Sequence, residues 1–172
     1  MNLQSLAKLS LKNKKLVIGL MSGTSLDGVD AALVEIIGSG TSTKIKQIGF
    51  ITYPFPAGLK GLLLENSTVK HGNVTDICKL NFLISLIYVD AVKSICGKTK
   101  IPISSIDVIG SHGQTIHHLP KKEKFFGYTF GSTLQIGDPS ATSPVLKSPI
   151  VKTPVSFAIA LGSPICKVEP NV

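Results

Sequence analysis

The stretch IGLMSGTSLDGVDAALVE, residues 18–35, decides how the rest of the chain is interpreted. Residues 18–20 and 29–34 are apolar enough for two β-strands, and their closeness in sequence predicts a hairpin. In and beside the turn stand three hydroxyl groups and two carboxylates, on Ser22, Thr24, Ser25, Asp27 and Asp30. A tight hairpin turn needs only about two to five residues with Gly or Asn at the tight position. This turn therefore carries more polar chemistry than a reversal of the chain requires.

One interpretation of this turn is a phosphate site. Successive backbone N–H groups around Gly23, Thr24 and Ser25 can form a concave anion-binding surface. The hydroxyls of Thr24 and Ser25 can donate to phosphate oxygens, and Asp27 or Asp30 can hold a hydrated Mg²⁺ beside them. The alternative is an exposed turn in which Ser, Asp and Gly serve only the turn geometry. The local chemistry leaves both interpretations open.

The elements predicted around this hairpin indicate an α/β fold. The predicted strands lie within residues 16–21, 29–37, 44–55, 106–116 and 128–139. The first three are joined by short connections and form a meander. A short helix is predicted within 56–68. A long helix begins at the N-cap Asn73, repeats apolar residues every three to four positions and ends at Gly97.

The chain changes character after Ser140. Six of the ten prolines fall in residues 139–172, and Asp138 is the last aspartate. Proline at this spacing breaks helices and removes donors from strand ladders, so an irregular tail is predicted. The predicted organisation is therefore an N-terminal extension at 1–15, a folded lobe at 16–140 and a Pro-rich, degenerate tail at 141–172.

Charge and composition restrict the partners. The net charge is +8, but all eighteen basic residues are lysine, and arginine is the residue that pairs with guanine. A solvated surface is therefore expected rather than nucleic-acid binding. No run reaches the roughly 18 apolar residues of a membrane span, so no membrane partner is expected. Cys78, Cys96 and Cys166 form no CxxC pair, which is typical of a reducing, cytoplasmic location. The first two share a helix face on which small buried residues are expected.

Two further polar segments follow apolar strands. In GSHGQTIHHLP, residues 110–120, His112 and Gln114 are flanked by glycines that allow a ligand to approach the backbone. Such a polar pair suits hydrogen bonding to a sugar or phosphate, whereas the histidine spacing does not match a zinc site. In TLQIGDPS, residues 133–140, Gln135 and Asp138 end a strand. Asp138 is as well explained by an Asx turn as by a ligand contact.

Taken in this order, GLMSGTSLDGVDAALVE (19–35), IGSHGQTIHHLP (109–120) and TLQIGDPS (133–140) resemble the N-terminal lobe of the anhydro-N-acetylmuramic acid kinase family. That family belongs to the sugar kinase, Hsp70 and actin superfamily, whose members have two ribonuclease H-like lobes with ATP in the cleft between them. The resemblance implies a truncated α/β, ribonuclease H-like (actin-like ATPase) N-terminal lobe with a mixed sheet and flanking helices.

The resemblance also implies roles for individual residues. The loop around the ATP phosphates would comprise Gly23, Thr24, Ser25, Leu26, Asp27, Gly28, Val29 and Asp30, with Asp27 near Mg²⁺. The side of the cleft facing anhydro-N-acetylmuramic acid would be lined by His112, Gln114, Thr115, Gln135 and Asp138. The implied reaction opens the 1,6-anhydro ring with water and phosphorylates O6, which gives N-acetylmuramic acid 6-phosphate in murein recycling.

The chain departs from the family pattern near its end. The family has a DFRxxDIAxGGxGAP-like segment whose second Asp is the general base, and the best match here is KTPVSFAIALGSPI, residues 152–165. Thr153 stands at the first Asp, Ala158 at the general base and Ser163 at a glycine, so no catalytic residue is assigned. The second lobe with its adenosine pocket is also absent from these residues. A truncated kinase fragment with little or no turnover is therefore expected.

Three alternatives remain open from the sequence. The chain is a kinase lobe by descent, a non-catalytic module that binds nucleotide or sugar, or a product that does not fold. A homodimer, or a second chain that supplies the missing lobe, is consistent with the first two.

Overall fold

The computed structural model describes residues 3–140 and 150–152. In chain order the elements are α1 (Leu3–Leu11), β1 (Lys14–Met21), β2 (Gly28–Ile37), β3 (Lys44–Pro54), α2 (Leu59–Asn66), α3 (Val74–Thr99), β4 (Val108–Ser111), β5 (Gln114–Phe125), β6 (Tyr128–Ile136) and β7 (Ile150–Lys152). The predictions for 141–149 and 153–172, including Ala158 at the general-base position, lie outside the described residues.

The main sheet has five strands in the order β3-β2-β1-β4-β7. β1, β2 and β3 are antiparallel neighbours, as the predicted meander requires, whereas β4 pairs parallel with β1 and β7 pairs parallel with β4. The predicted α/β fold with a mixed sheet and helices is thus confirmed. β5 and β6 form a separate two-stranded antiparallel ribbon.

The core lies between the main sheet and α3. Alternate residues of β1 and β2, among them Ile18, Val29 and Leu33, are fully buried and meet the apolar stripe of α3. The helix approaches β3 so closely that a Cβ at Gly49 would lie 2.5 Å from Cγ2 of Thr99. This packing fixes the strand ends from which the polar loops emerge.

α3 begins as predicted and ends later than predicted. The Asn73 side chain accepts a hydrogen bond from the Thr75 amide at 2.8 Å, which confirms the N-cap. The predicted end at Gly97 is wrong, because the helix continues to Thr99 and Lys100 closes it in the left-handed conformation, with φ of 56°. Its hydropathy is high enough for a membrane span, but 56% of the apolar window is buried inside the domain, as in a core helix.

The sequence predictions also differ from the structure elsewhere: the single strand predicted within 106–116 is divided between β4 of the main sheet and the start of β5 in the ribbon. Cys96 is buried, but Cys78 is exposed because the buried face of α3 begins only at Leu80. The N-terminal extension contains α1, which was not predicted, and β1 starts at Lys14. Within the segment predicted to be an irregular tail, residues 150–152 form β7 of the main sheet.

Candidate functional site

Two polar loops emerge at the same edge of the main sheet. β1 and β4 are adjacent and parallel, with Leu20 opposite Ser111 near their carboxyl ends. The amide of His112, the first residue after β4, donates to the carbonyl of Leu20 at 3.0 Å. Ligands of open α/β sheets bind outside the carboxyl ends of strands, where neighbouring connections diverge. Loop 22–27 and His112 occupy such a position.

Loop 22–27 is held by hydrogen bonds and a buried side chain on its core side, and its other side faces solvent. The Ser22 hydroxyl is buried and donates to the Gly28 carbonyl at 3.1 Å, while the Leu26 amide donates to the Gly23 carbonyl at 3.3 Å. Leu26 adopts a positive φ of 54° and buries its side chain in the core. Thr24 and Ser25 are exposed. The loop therefore holds a defined turn and presents its hydroxyls to solvent.

Asp27 carries the charge of this loop. Its Oδ1 lies 3.1 Å from Nζ of Lys60, at the start of α2, and both side chains are exposed. The hydrogen bond and the charge of Lys60, with a smaller contribution from the Ser25 hydroxyl, hold the pKa of Asp27 below its ordinary value of 3.8. The Asp27 carbonyl accepts from the Phe55 amide at 3.2 Å, which fixes the backbone here.

Part of the predicted phosphate loop belongs to β2. The Val29 side chain is fully buried in the core, so it is not available to a ligand. Oδ1 of Asp30 accepts from the Thr52 hydroxyl at 2.6 Å on β3. A Cβ at Gly28 would lie 2.2 Å from the Tyr53 carbonyl oxygen, so this glycine allows β2 to pack on β3. The segment open to a ligand is therefore shorter than predicted, residues 23–27.

Beside this loop, His112 and Gln135 form a hydrogen-bonded pair. His112 is buried, its Nδ1 lies 3.2 Å from the Gly113 carbonyl oxygen, and its Nε2 lies 3.0 Å from Nε2 of Gln135. Because a carbonyl only accepts, Nδ1 donates to Gly113, and in the tautomer with its proton on Nδ1 the ring accepts at Nε2 from the Gln135 amide. The structure thus joins two residues predicted from separate segments of the sequence, and the histidine lone pair is engaged.

Gln114 and Thr115 continue this polar surface at the base of the ribbon. Gln114 is buried and donates through Nε2 to the Thr115 carbonyl at 3.1 Å, but its Oε1 has no hydrogen-bond partner among the described residues. Buried acceptors are rarely left unpaired, so this atom suits a donor from a ligand or water. Thr115 lies directly opposite Gln135 in the ribbon register.

Asp138 forms the Asx turn that was one of the two explanations offered by the sequence, and its contact with a ligand stays a prediction. Its Oδ1 accepts from the Ser140 amide at 2.8 Å, which is an Asx turn. The preceding Gly137 has φ of 111°, and a Cβ there would lie 3.4 Å from Cα of Gly113. The two glycines let the loops after β4 and β6 pass each other in close contact.

Sequence reasoning missed three residues of this region. Oδ1 of Asn81 accepts from the Gly137 amide at 2.8 Å, Lys60 pairs with Asp27, and the Tyr88 hydroxyl is buried near the main chain of Ser22. The signal for Asn81 was an amide among the apolar positions of α3. Lys60 carried no signal, because only the fold brings α2 to the loop.

The donor set does not form an all-protein metal site. Within residues 3–140 and 150–152, no group of three or more His, Cys, Asp or Glu side chains is placed to hold a metal ion. Mg²⁺ at phosphate sites usually takes one or two carboxylates and completes its shell with water and phosphate oxygens. A single exposed carboxylate at Asp27 is compatible with that mode of binding.

Comparison with known proteins gives a consistent family. Residues 15–151 match the family model described as anhydro-N-acetylmuramic acid kinase. A Bacillus cereus protein of that name is 42% identical over 146 residues, which cover 85% of this chain and 37% of that protein. Another from B. cereus is 47% identical over 124 residues, 72% of this chain and 32% of its own length. The chain thus spans about a third of the length of these relatives.

Comparison with solved structures does not identify a shared fold. A cryo-EM structure of CasPhi-2 (Cas12j) bound to crRNA and phosphorothioate-DNA covers 94% of this chain and 27% of its own, with a TM-score of 0.22 and 10% identity. These values are too low to indicate a shared fold.

Proposed function

The chain belongs to the anhydro-N-acetylmuramic acid kinase family, and from this premise we propose that it forms the phosphate- and sugar-binding part of an ATP-dependent sugar kinase. In the proposed reaction, water opens the 1,6-anhydro ring of anhydro-N-acetylmuramic acid and O6 takes the γ-phosphoryl group of ATP. The products are N-acetylmuramic acid 6-phosphate and ADP, as murein recycling requires. The cytoplasmic location of this chemistry stays a prediction.

The observation that carries the proposal is that loop 22–27 and His112 follow the carboxyl ends of the adjacent parallel strands β1 and β4, where the His112 amide donates to the Leu20 carbonyl at 3.0 Å. A kinase must hold a phosphate donor and an acceptor within reach of each other, because phosphoryl transfer depends mainly on positioning and charge stabilisation. Polar groups for both ligands at one edge of the sheet support that arrangement.

The phosphate side of the proposed site is residues 23–27. A Cβ at Gly23 would meet no atom within 4 Å, so the backbone there is open to a bulky anion. The hydroxyls of Thr24 and Ser25 would donate to phosphate oxygens, and Asp27 would hold a hydrated Mg²⁺ that neutralises phosphate charge. Lys60, 3.1 Å from Asp27, adds positive charge beside the loop.

The sugar side of the proposed site is the pair His112 and Gln135 with Gln114, Thr115 and Asp138. The unpaired Oε1 of buried Gln114 would accept from a sugar hydroxyl, since specific sites place a few such groups in defined orientations. The fixed ring of His112 would hold the Gln135 amide at the site edge.

The ribonuclease H-like fold is part of the same proposal. A three-stranded antiparallel meander is followed by a long helix and by two strands parallel to β1, in the order β3-β2-β1-β4-β7. This arrangement supports the first half of an actin-like ATPase lobe.

The test is calorimetric titration of the 172-residue chain with Mg·ATP and, separately, with anhydro-N-acetylmuramic acid. We expect Asp27→Asn to weaken nucleotide binding at least tenfold and Gln135→Ala to weaken sugar binding. The matched controls are Asp76→Asn and Gln47→Ala, since Asp76 on α3 is also paired with a lysine and Gln47 is an exposed glutamine on β3. Equal losses in the controls, or no binding by the parent chain, would contradict the proposal.

A second candidate function is a non-catalytic module that binds nucleotide or sugar. Ala158, which lies outside the described residues, stands where the family has its general base, and loss of such a base typically lowers a rate by about 10²–10⁴. Binding of both ligands without turnover in a coupled ADP-release assay supports this candidate, whereas turnover comparable to that of a full-length relative contradicts it. Participation of a second copy or another chain stays a prediction.

A further inference from the structure

The ribbon of β5 and β6 extends away from the proposed site into solvent. Its base is fixed by buried Ile116 and Ile136, whereas every residue from 118 to 134 is exposed. Two-stranded ribbons without a covered face are only marginally stable in water. The described residues provide no second layer for this one.

The most exposed part of the ribbon is aromatic. Phe125 pairs with Tyr128 across the two-residue turn Phe126-Gly127, and the Phe125, Phe126 and Tyr128 side chains are 62%, 87% and 75% exposed. The rings of Phe125 and Phe126 make an edge-to-face contact with centroids 4.7 Å apart. The exposed apolar side chains thus lie at the end of the ribbon, where Phe125 also lines a cavity together with Leu119 and Phe130.

The turn of the ribbon places a bulky residue, Phe126, in a backbone conformation that such residues disfavour. Phe126 and Gly127 have φ of 47° and 86°, so both are left-handed, as in a type I′ hairpin turn. The first of these positions strongly favours Asn, Asp or Gly, and a bulky residue there is strained. The strain is not offset by burial of Phe126. A residue that breaks a local rule without a structural gain indicates a functional role.

The charges beside the aromatic tip restrict the kind of partner surface that it can bind. Lys121, Lys122 and Lys124 stand just behind the aromatic tip, with Glu123 as the one acidic residue between them. Lysines on exposed strands discourage pairing with another strand, and two copies of a positive ribbon repel each other. A second copy of this chain is therefore disfavoured as the occupant, and an anionic surface is favoured.

We propose that the ribbon tip docks on a lipid bilayer that contains anionic lipids. Aromatic side chains prefer the interfacial region, into which apolar groups penetrate by about 5–10 Å, and lysines placed behind them reach the phosphate groups. The order of the ribbon, aromatic at the turn and basic behind it, matches this layering. The sequence-based expectation of no membrane partner rested on the absence of a membrane-spanning apolar run, which does not bear on docking at the surface of a bilayer. The proposal does not depend on the kinase proposal.

The test is flotation of the 172-residue chain with phosphatidylcholine vesicles and with vesicles containing about a third phosphatidylglycerol. We expect binding to the anionic vesicles that weakens in 0.5 M NaCl. Replacing the three lysines with Gln should weaken it by about fivefold per residue, the attraction expected for each near an anionic surface.

Phe126→Asn separates folding from docking. Asn suits the left-handed position, so this variant keeps or raises thermal stability, yet vesicle binding should fall at least fivefold. Phe82→Ala is the matched control, because Phe82 is an exposed phenylalanine on α3. Unchanged binding by Phe126→Asn, equal loss in the control, preference for a single-stranded oligonucleotide over vesicles, or ribbon-dependent dimerisation on a sizing column each overturns the proposal.

Discussion

Asn81, in the first third of α3, accepts a hydrogen bond through Oδ1 at 2.8 Å from the amide of Gly137, which follows β6. The Asn81 carbonyl also accepts from the amide of Asp138 at 3.2 Å. A core helix thus holds the loop after β6, which carries Asp138 and directly follows the end of the strand that carries Gln135, two of the proposed sugar-binding residues. The position of that loop depends on one side chain more than fifty residues away in sequence.

Asn81→Leu should therefore disturb both stability and site geometry. The variant keeps the side-chain size but leaves the Gly137 amide unpaired, and loss of such a bond costs about 1–3 kcal/mol. Urea unfolding should show that decrease, and the imidazole NMR signals of His112 should shift because its partner Gln135 moves.

The control for this variant is Asn66→Leu. Like Asn81, Asn66 accepts a backbone hydrogen bond through Oδ1, from the amide of Asn73 at 2.9 Å, but it is buried at the end of α2. It should lower stability without moving the His112 signals. Identical spectra for both variants would show that Asn81 has only a structural role.

Gly113→Ala should be among the most damaging single changes at the site. Gly113 has φ of 77°, and a Cβ there would lie 2.4 Å from the Ile136 carbonyl oxygen. Strain of this kind costs about 1–3 kcal/mol, and the contact with backbone adds to it. Chemical unfolding should show a loss of at least about 2 kcal/mol. Gly110→Ala on the preceding strand β4, where the nearest atom lies at 4.0 Å, should lose little.

Local signals were sufficient for most of the fold. The apolar runs of β1 and β2, the Asn73 cap and the periodicity of α3 are each set by neighbouring residues, and each was predicted. The end of α3 was not, because Lys100 takes the left-handed position that the sequence favours for glycine. β7 was not predicted either, since its pairing with β4 is non-local.

The candidate site shows the same division. The sequence identified the polar turn at 22–30, His112 and Gln135 as polar groups at strand ends, but not that Gln135 lies 3.0 Å from His112. That contact depends on the ribbon register and on close approach of two glycines. Val29 was included in the phosphate loop although its place in the alternation with Ala31 and Leu33 directs it into the core.

Tyr88→Phe should not destabilise the protein. The Tyr88 hydroxyl is buried, and among the described residues no well-formed hydrogen bond satisfies it. Removing an unpaired buried polar group is neutral or stabilising. Thermal melts at neutral pH should show an unchanged or higher midpoint, and a fall of several degrees would mean that the hydroxyl has a partner.

The same residue should make stability depend on alkaline pH. Burial raises the pKa of Tyr88 well above its ordinary value of 10.0, an effect that the nearby Ser22 backbone partly opposes. A raised pKa favours the neutral form in the folded state, so its contribution is complete below pH 10 and is lost as pH rises above it. Unfolding experiments between pH 9 and 11 should show a smaller loss in Tyr88→Phe than in the parent chain.

Lys60→Met should raise the pKa of the Asp27 carboxyl towards its ordinary value of 3.8, because the hydrogen bond and the charge of Lys60 are the main causes of its depression. A depressed carboxyl pKa favours folding above the ordinary value, and that contribution is lost as pH falls through the folded-state pKa. The variant should therefore lose this part of the acid dependence. An NMR pH titration of the Asp27 carboxyl signal measures the shift directly, and 1 M salt should reproduce part of it by screening.

Lys79→Met, which removes a lysine paired with Asp76 on α3, should leave the Asp27 titration unchanged. If Asp27 titrated alike in all three proteins, its charge would not depend on α2, and the 3.1 Å contact would have no electrostatic consequence.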